Sequence, residues 1–177
     1  MKLLIASDIH GSYAAAKALR QKMVEEGADE LILLGDIYNH GPRNPFPEEY
    51  APLKVAEVLN GMQNLTVIKG NCDSEVDEMI SSFVFSESAF IFADGKKVFL
   101  THGHKYNENN LPAGCKVVLY GHFHVGFIKE KDGVIIANPG SVSLPKNNSE
   151  ASYILLADGK LILKSLSSGK ILAEKTL

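Results

Sequence analysis

The chain has 177 residues, 45% of them apolar, and a formal net charge of -3 at neutral pH. That length suits one well-buried core, so residues 1–177 read as a single domain. The charge excludes a broad basic field for long nucleic acid, and two cysteines, Cys72 and Cys115, exclude a disulfide framework.

In chain order, Lys2 to Ala6 opens as a strand with no charged n-region, long apolar stretch or cleavage signal, so the expectation is a cytoplasmic protein with no membrane segment. Ser12 suits an N-cap for a helix through Ala14 to Glu26, and Gly27 its stop. The runs Leu31 to Leu34 and Leu65 to Ile68 read as further strands buried on both faces. Between them a second helix is expected over Leu53 to Met62, with Leu53, Val55, Ala56, Leu59 and Met62 on its apolar side. Val98 to Leu100 and Val117 to Tyr120 are strands of the same kind. From about Ser88 onward, Asp94-Gly95, Asp132-Gly133 and Asp158-Gly159 each separate two β-rich runs, which predicts hairpins and a mostly antiparallel second half. The fold class is therefore α/β: a two-sheet sandwich flanked by helices, with βαβ units first and hairpins later. Tyr106 to Gly114 is short and polar, leaving room for little more than a turn or two of any lid helix. Lys146-Asn147-Asn148-Ser149 is a polar loop. Tyr153 to Ala157 and Lys170 to Lys175 are candidate exposed edges through which two copies could pair.

Five of the six histidines lie in short motifs that close apolar runs: Asp8-Ile9-His10-Gly11, His102-Gly103-His104 and Gly121-His122-Phe123-His124, beside Gly35-Asp36 and Gly70-Asn71-Cys72-Asp73. Asp and neutral His bind divalent cations, and an Asn carbonyl is a weaker neutral ligand. In an extended segment, residues two apart share a face, so Asp8 with His10 and His122 with His124 would each converge on one point. Asp8 to Asp36 is 28 residues and Asp36 to Asn71 is 35, close to the roughly 30 of one strand-helix-strand unit. In open α/β sheets, ligands bind outside the carboxyl ends of the strands, where such motifs meet.

In this order, D-x-H, G-D, G-N, H-G-H and G-H-x-H resemble the calcineurin-like metallophosphoesterase superfamily over Asp8 to His124. Residues 35–44, 70–77 and 138–143 are similar to the small bacterial YfcE-type phosphodiesterases, which extends the resemblance to nearly the whole chain. The resemblance implies one metal held by Asp8, His10, Asp36 and His124 and a second by Asp36, Asn71, His102 and His122, with Asp36 bridging. Two divalent ions against two carboxylates leave excess positive charge for a phosphate, and metals about 3.5–4 Å apart can share a water, lower its pKa and direct the hydroxide at phosphorus. The nitrogen and oxygen donors suit Mn, Fe, Zn, Ni or Co better than an all-oxygen Mg or Ca cage, and the resemblance implies Mn2+.

One departure bears on mechanism. Many family members carry His where this chain has Cys72, so the leaving-group acid is open: a thiol donor, or a small buried residue with His40 supplying the proton from its Gly-Pro-rich loop. Aryl diesters, whose leaving groups need little protonation, should then turn over better than unactivated ones. His104 holds phosphate, orients a neighbour or is simply a polar loop residue. Arg43 suits bidentate phosphate recognition or a solvated surface. Asn138 and Ser141, in Asn138-Pro139-Gly140-Ser141, face an anion or merely form a tight turn. The leading expectation is hydrolysis of a small phosphodiester; the rivals are a phosphomonoesterase with the same site and a non-catalytic scaffold such as the retromer subunit of this fold. The resemblance also allows a homo-oligomer.

Overall fold

The computed structural model describes all 177 residues. The first half runs β1 (Leu3–Ala6), α1 (Tyr13–Glu26), β2 (Glu30–Leu33), α2 (Pro52–Asn60), β3 (Leu65–Ile68), α3 (Glu75–Met79) and β4 (Phe85–Ser86). The second half is all strand: β5 (Ala89–Ala93), β6 (Lys96–Leu100), β7 (Val117–Leu119), β8 (Gly126–Lys131) and β9 (Val134–Pro139). It closes with β10 (Ser152–Ala157), β11 (Lys160–Ser165) and β12 (Ile171–Thr176).

These strands form two sheets, ordered β12-β11-β10-β1-β2-β3-β4 and β5-β6-β7-β9-β8. In the first, β1 to β4 are parallel and β10 joins β1 antiparallel. The period-2 alternation of β1 explains why its whole run is apolar. Leu4 and Ala6 pack with Ala15, Ala16 and Leu19 of α1 and Val55 and Leu59 of α2, while Leu3 and Ile5 face the second sheet through Val98, Leu100, Val117 and Leu119. Leu111 and Cys115 pack against Phe99, Val118, Tyr120 and Ile136 in a smaller cluster.

The capping expectations hold for α1: Ser12 Oγ accepts from Ala15 N, and Gly27 stops the helix at φ 60°. The second helix differs from expectation. It ends at Asn60, and Leu53 is 67% exposed while Val58 is buried in its stead. Residues spaced by three drift about 60° per step around a 3.6-residue helix, so Leu53 has left the face that Ala56 and Leu59 share.

The three Asp-Gly hairpins form as β5-β6, β8-β9 and β10-β11. The second half is mostly antiparallel as expected, and its parallel pairings are confined to β6-β7 and β7-β9. A turn signal reports only strands adjacent in sequence, whereas β9 inserts between β7 and β8 through a crossover. Tyr153 to Ala157 is likewise no edge: β10 lies between β1 and β11 with all six residues buried. Lys170 to Lys175 does fall on an edge, β12. No helix is long and apolar enough to cross a membrane.

Candidate active site

Asp8, Asp36, Asn71, His102 and His122 all follow the carboxyl ends of parallel strands, β1, β2, β3, β6 and β7 respectively. The backbone there is not extended. Asp8, His10, Asp36, His122 and His124 have φ of 59°, 49°, 56°, 68° and 61°. Non-glycine residues in this left-handed region are strained by about 1–3 kcal/mol each and cluster where function over-determines the backbone. Asp and His are among the types that tolerate it, which corrects the expectation that pairs two apart converge by alternating along a strand. Close turns aim them, held by Asp8 N donating to Gly35 O (3.0 Å) and His10 N to Asp36 O (2.9 Å).

The side chains form two adjoining groups. In the first, His10 Nε2 lies 3.7 Å from Asp8 Oδ1 and 3.7 Å from Asp36 Oδ2, and His124 Nε2 lies 3.4 Å from Asp8 Oδ1. In the second, His102 Nε2 stands 3.4 Å from Asp36 Oδ2, 3.1 Å from Asn71 Oδ1 and 3.3 Å from His122 Nδ1. Asp36 Oδ2 belongs to both. Ligands about 2.1 Å from a cation stand roughly 3.0–3.5 Å apart, so these edges suit a coordination shell.

The hydrogen bonds show that these atoms present lone pairs. His10 Nδ1 donates to Asn39 O (2.7 Å), His102 Nδ1 to Leu34 O (2.6 Å) and His124 Nδ1 to Leu144 O (2.7 Å), which leaves each Nε2 facing inward. Each carboxylate is pinned by one oxygen only. Asp8 Oδ2 accepts from His122 N at 3.0 Å and Asp36 Oδ1 from Cys72 N at 2.8 Å. Asp8 Oδ1 is buried with no hydrogen-bond partner. A buried, unpartnered carboxylate oxygen among imidazole nitrogens fits a divalent cation.

The electrostatics agree. Burial opposes charge on Asp36, yet His102 beside it holds its carboxyl well below the usual range. Burial also disfavours a charged His102, but the hydrogen bond and charge of Asp36, with the charge of Asp8, raise it to about 9. His122 goes the other way, pushed down to about 4 by burial and then by His102. Without a metal, positive charge on His102 is favoured, with the proton on the inward Nε2 standing where a bound cation would take the lone pair.

Asp73, quoted in a motif but assigned no task from sequence, ties the loops together. Its carboxylate accepts from Asp36 N (2.8 Å), Ile37 N (2.7 Å) and Gly70 N (2.7 Å). Burial pushes its carboxyl up to about 6 against the pull of those donors. Two glycines let the loops approach: a Cβ on Gly70 would sit 2.2 Å from Asp36 Oδ1, and one on Gly121 1.9 Å from Ser7 Oγ.

A cavity of about 400 Å³ opens over the site, lined in part by Asp36, Arg43, Asn71, Cys72, His122 and Lys146. Cys72 is therefore at the site; burial, then Asp36, pushes its thiol up to about 12. His104 is exposed, its ring 5.4 Å from that of His102 and 6.3 Å from that of His122. His40 is turned elsewhere: its ring packs 4.4 Å from Phe46 and 5.4 Å from Tyr50, and it does not line the cavity. Asn138 and Ser141 do not face an anion either, because both are fully buried with their polar atoms engaged. Asn138 donates to Gly121 O (2.7 Å) and accepts from Gly140 N (2.8 Å); Ser141 Oγ donates to Asp8 O (2.8 Å). They brace the ligand loops.

Matched against protein families, residues 1–158 fit the calcineurin-like phosphoesterase superfamily domain, and the chain belongs to that superfamily. It is 42% identical to phosphodiesterase YfcE of Escherichia coli strain K12, across 98% of this chain and 97% of that one. A solved structure of the E. coli YfcE phosphoesterase superposes with a TM-score of 0.96 at 41% identity, over 99% of both chains. The probable metallophosphoesterase YsnB of Bacillus subtilis is 28% identical over 88% of this chain and 83% of its own. Vacuolar protein sorting 29 from Cryptosporidium parvum, with a TM-score of 0.66 at 20% identity over 99% of this chain and 98% of that chain, shares the fold.

Proposed function

We propose that this chain is a metal-dependent phosphodiesterase acting on a small or exposed diester, with residues 1–177 working as one unit. The observation that carries the reading is Asp36 Oδ2, shared between two groups of inward-facing lone pairs. In this reading Asp8, His10, Asp36 and His124 hold one divalent ion, and Asp36, Asn71, His102 and His122 the other. When bound, the ions supply Lewis acidity to the phosphoryl oxygens and lower the pKa of the attacking water. The mixed nitrogen and oxygen donor set supports a first-row divalent ion, which this reading takes as Mn2+, with Zn2+, Ni2+, Fe2+ or Co2+ as substitutes.

The chain's own residues do the rest. Asp73 fixes the backbone of Asp36 and Gly70, and Cys72 N orients the Asp36 carboxylate. With His40 packed on Phe46 and Tyr50, His104, whose ring is 5.4 Å from that of His102 though outside the cavity lining, is the imidazole this reading assigns to the phosphate. Cys72 supplies a neutral wall rather than a ready proton, which supports a preference for phenolic leaving groups. Free thiols at Cys72 and Cys115 support a cytoplasmic location.

One observation favours the monoesterase alternative: Lys146 adds a second cation beside Arg43 at the cavity. The discriminating experiment is hydrolysis of bis(p-nitrophenyl) phosphate and p-nitrophenyl phosphate by metal-stripped protein with Mn2+, Zn2+, Ni2+ or Mg2+ added back singly. Restored diester turnover above monoester turnover is expected. The reverse order would establish a monoesterase, and bound metal with neither activity a scaffold.

A further inference from the structure

The loop that reads from sequence as merely polar is fastened to a candidate metal ligand. His124 Nδ1 donates to Leu144 O (2.7 Å), and His124 O in turn accepts from Lys146 N (3.1 Å) and Ser149 Oγ (3.3 Å). Ser149 also caps the turn, its N and Oγ donating to Lys146 O at 3.0 and 2.7 Å, while Asn147 and Asn148 take φ of 53° and 56°. Lys146 is therefore carried on the same rigid unit as His124.

The cavity wall around it has an unusual make-up. Arg43 and Lys146 both line it, and the sole carboxylate there is Asp36, whose free oxygen is turned to the ligand groups. No phenylalanine, tyrosine or large aliphatic side chain lines the cavity, so its wall is mostly polar. Arg43 and Lys146 are exposed, whereas Asp36 and His124 are buried, so the two cations stand on the solvent side of the ligand groups.

We propose that Lys146, with Arg43 lining the same cavity, binds a second oxyanion on the diester's other arm, making the preferred substrate a phosphodiester that carries a carboxylate or phosphate beyond the scissile group. This rests on the phosphodiesterase reading and deepens it by naming the substrate class. A flexible ammonium and a planar guanidinium at a polar rim recognise an oxyanion through charge-assisted hydrogen bonds. At such exposure the attraction is screened by salt.

The test uses p-nitrophenyl diesters that share one leaving group and differ in the other arm: ethyl, 2-carboxyethyl, 2-phosphoethyl and choline. With the Mn2+-loaded full chain, KM for the carboxyethyl or phosphoethyl arm should lie about tenfold below that for ethyl, choline highest, and the gap should shrink as salt rises. Whichever of the two anionic arms gives the lower KM identifies the oxyanion. Lys146→Ala should narrow the gap to about twofold and Lys146→Arg should keep most of it, with two metals bound in both variants. KM independent of arm charge in the wild type would overturn the proposal. So would an equal KM increase for every arm in Lys146→Ala, which would assign the lysine to the scissile phosphate. Absence of turnover on every arm, ethyl included, would overturn the phosphodiesterase reading itself.

Discussion

His10 Nε2 stands 3.2 Å from His124 Nε2 while the Nδ1 of each ring donates to a backbone carbonyl, so in the neutral rings two nitrogen lone pairs face each other across the site. Two lone pairs at that distance repel, and Asp8 Oδ1 beside them has no hydrogen-bond donor. A cation bound among the three removes both penalties at once. Chelation should therefore destabilise the fold. Ligand at a hundred times its Kd contributes about 2.7 kcal/mol, which for a chain of this size is a shift in Tm of roughly 5–10 °C. Thermal unfolding with and without Mn2+ measures it; coincident curves would mean that the folded protein gains nothing from metal.

Asp36→Asn should be the most damaging single substitution, because Oδ2 is within 3.7 Å of His10 Nε2 and 3.4 Å of His102 Nε2. Loss of diester turnover should exceed the roughly 10- to 100-fold cost typical of residues that stand behind metal ligands. Metal analysis should find both ions depleted, whereas Asp8→Asn should deplete one. A variant with two ions and full activity would show that the bridge is misassigned.

Asp73→Asn replaces a carboxylate that accepts three backbone N–H groups with an amide whose NH2 meets one of them. Metal affinity should fall about 10- to 100-fold, and stability by about 2–3 kcal/mol, since a buried N–H is left unpaired. Titration with Mn2+ and urea unfolding report the two effects separately. Unchanged affinity would reduce Asp73 to a turn residue.

A methyl group on Gly121 would lie 1.9 Å from Ser7 Oγ and 2.8 Å from Asp8 Oδ2, on the buried floor of the site. Gly121→Ala should displace Asp8 and empty the group it shares with His10 and His124, at a stability cost of about 1–3 kcal/mol from overpacking. Metal stoichiometry and Tm check this together. Full occupancy with native Tm would show the loop to be softer than its contacts imply.

Cys72→Ala tests the leaving-group question. With the thiol pushed up to about 12 by burial and Asp36, bis(p-nitrophenyl) phosphate turnover should change by less than about threefold. A loss of about a hundredfold or more would make the thiol the acid.

The motifs were readable because each ligand closes an apolar strand, and strand ends on a parallel sheet collect at one edge. Ser12 and Gly27 were readable for a similar local reason, as were the three Asp-Gly turns. Their side chains act on their own backbone, within a few residues. Cys72 was legible as a departure from the family pattern, but its thiol's environment depends on Asp36 and Asp73 together. His40 shows the opposite case: four residues after Asp36 it looks close to the site, yet Phe46 and Tyr50 draw its ring away.

By itself the sequence determined which residues are able to bind metal and the order in which strands present them, because donor chemistry and alternation are local properties. The tertiary structure alone decided that Asn138 and Ser141 brace loops, that β9 inserts beside β7, that Asp73 joins two loops and that Lys146 rides on His124. Each of these depends on a contact across the sheets or between loops distant in sequence. A hydrogen bond from Ser141 to a carbonyl 133 residues away leaves no periodic trace in the chain. Its donor and acceptor meet only once the two sheets have packed on Leu3, Ile5 and the strands opposite them.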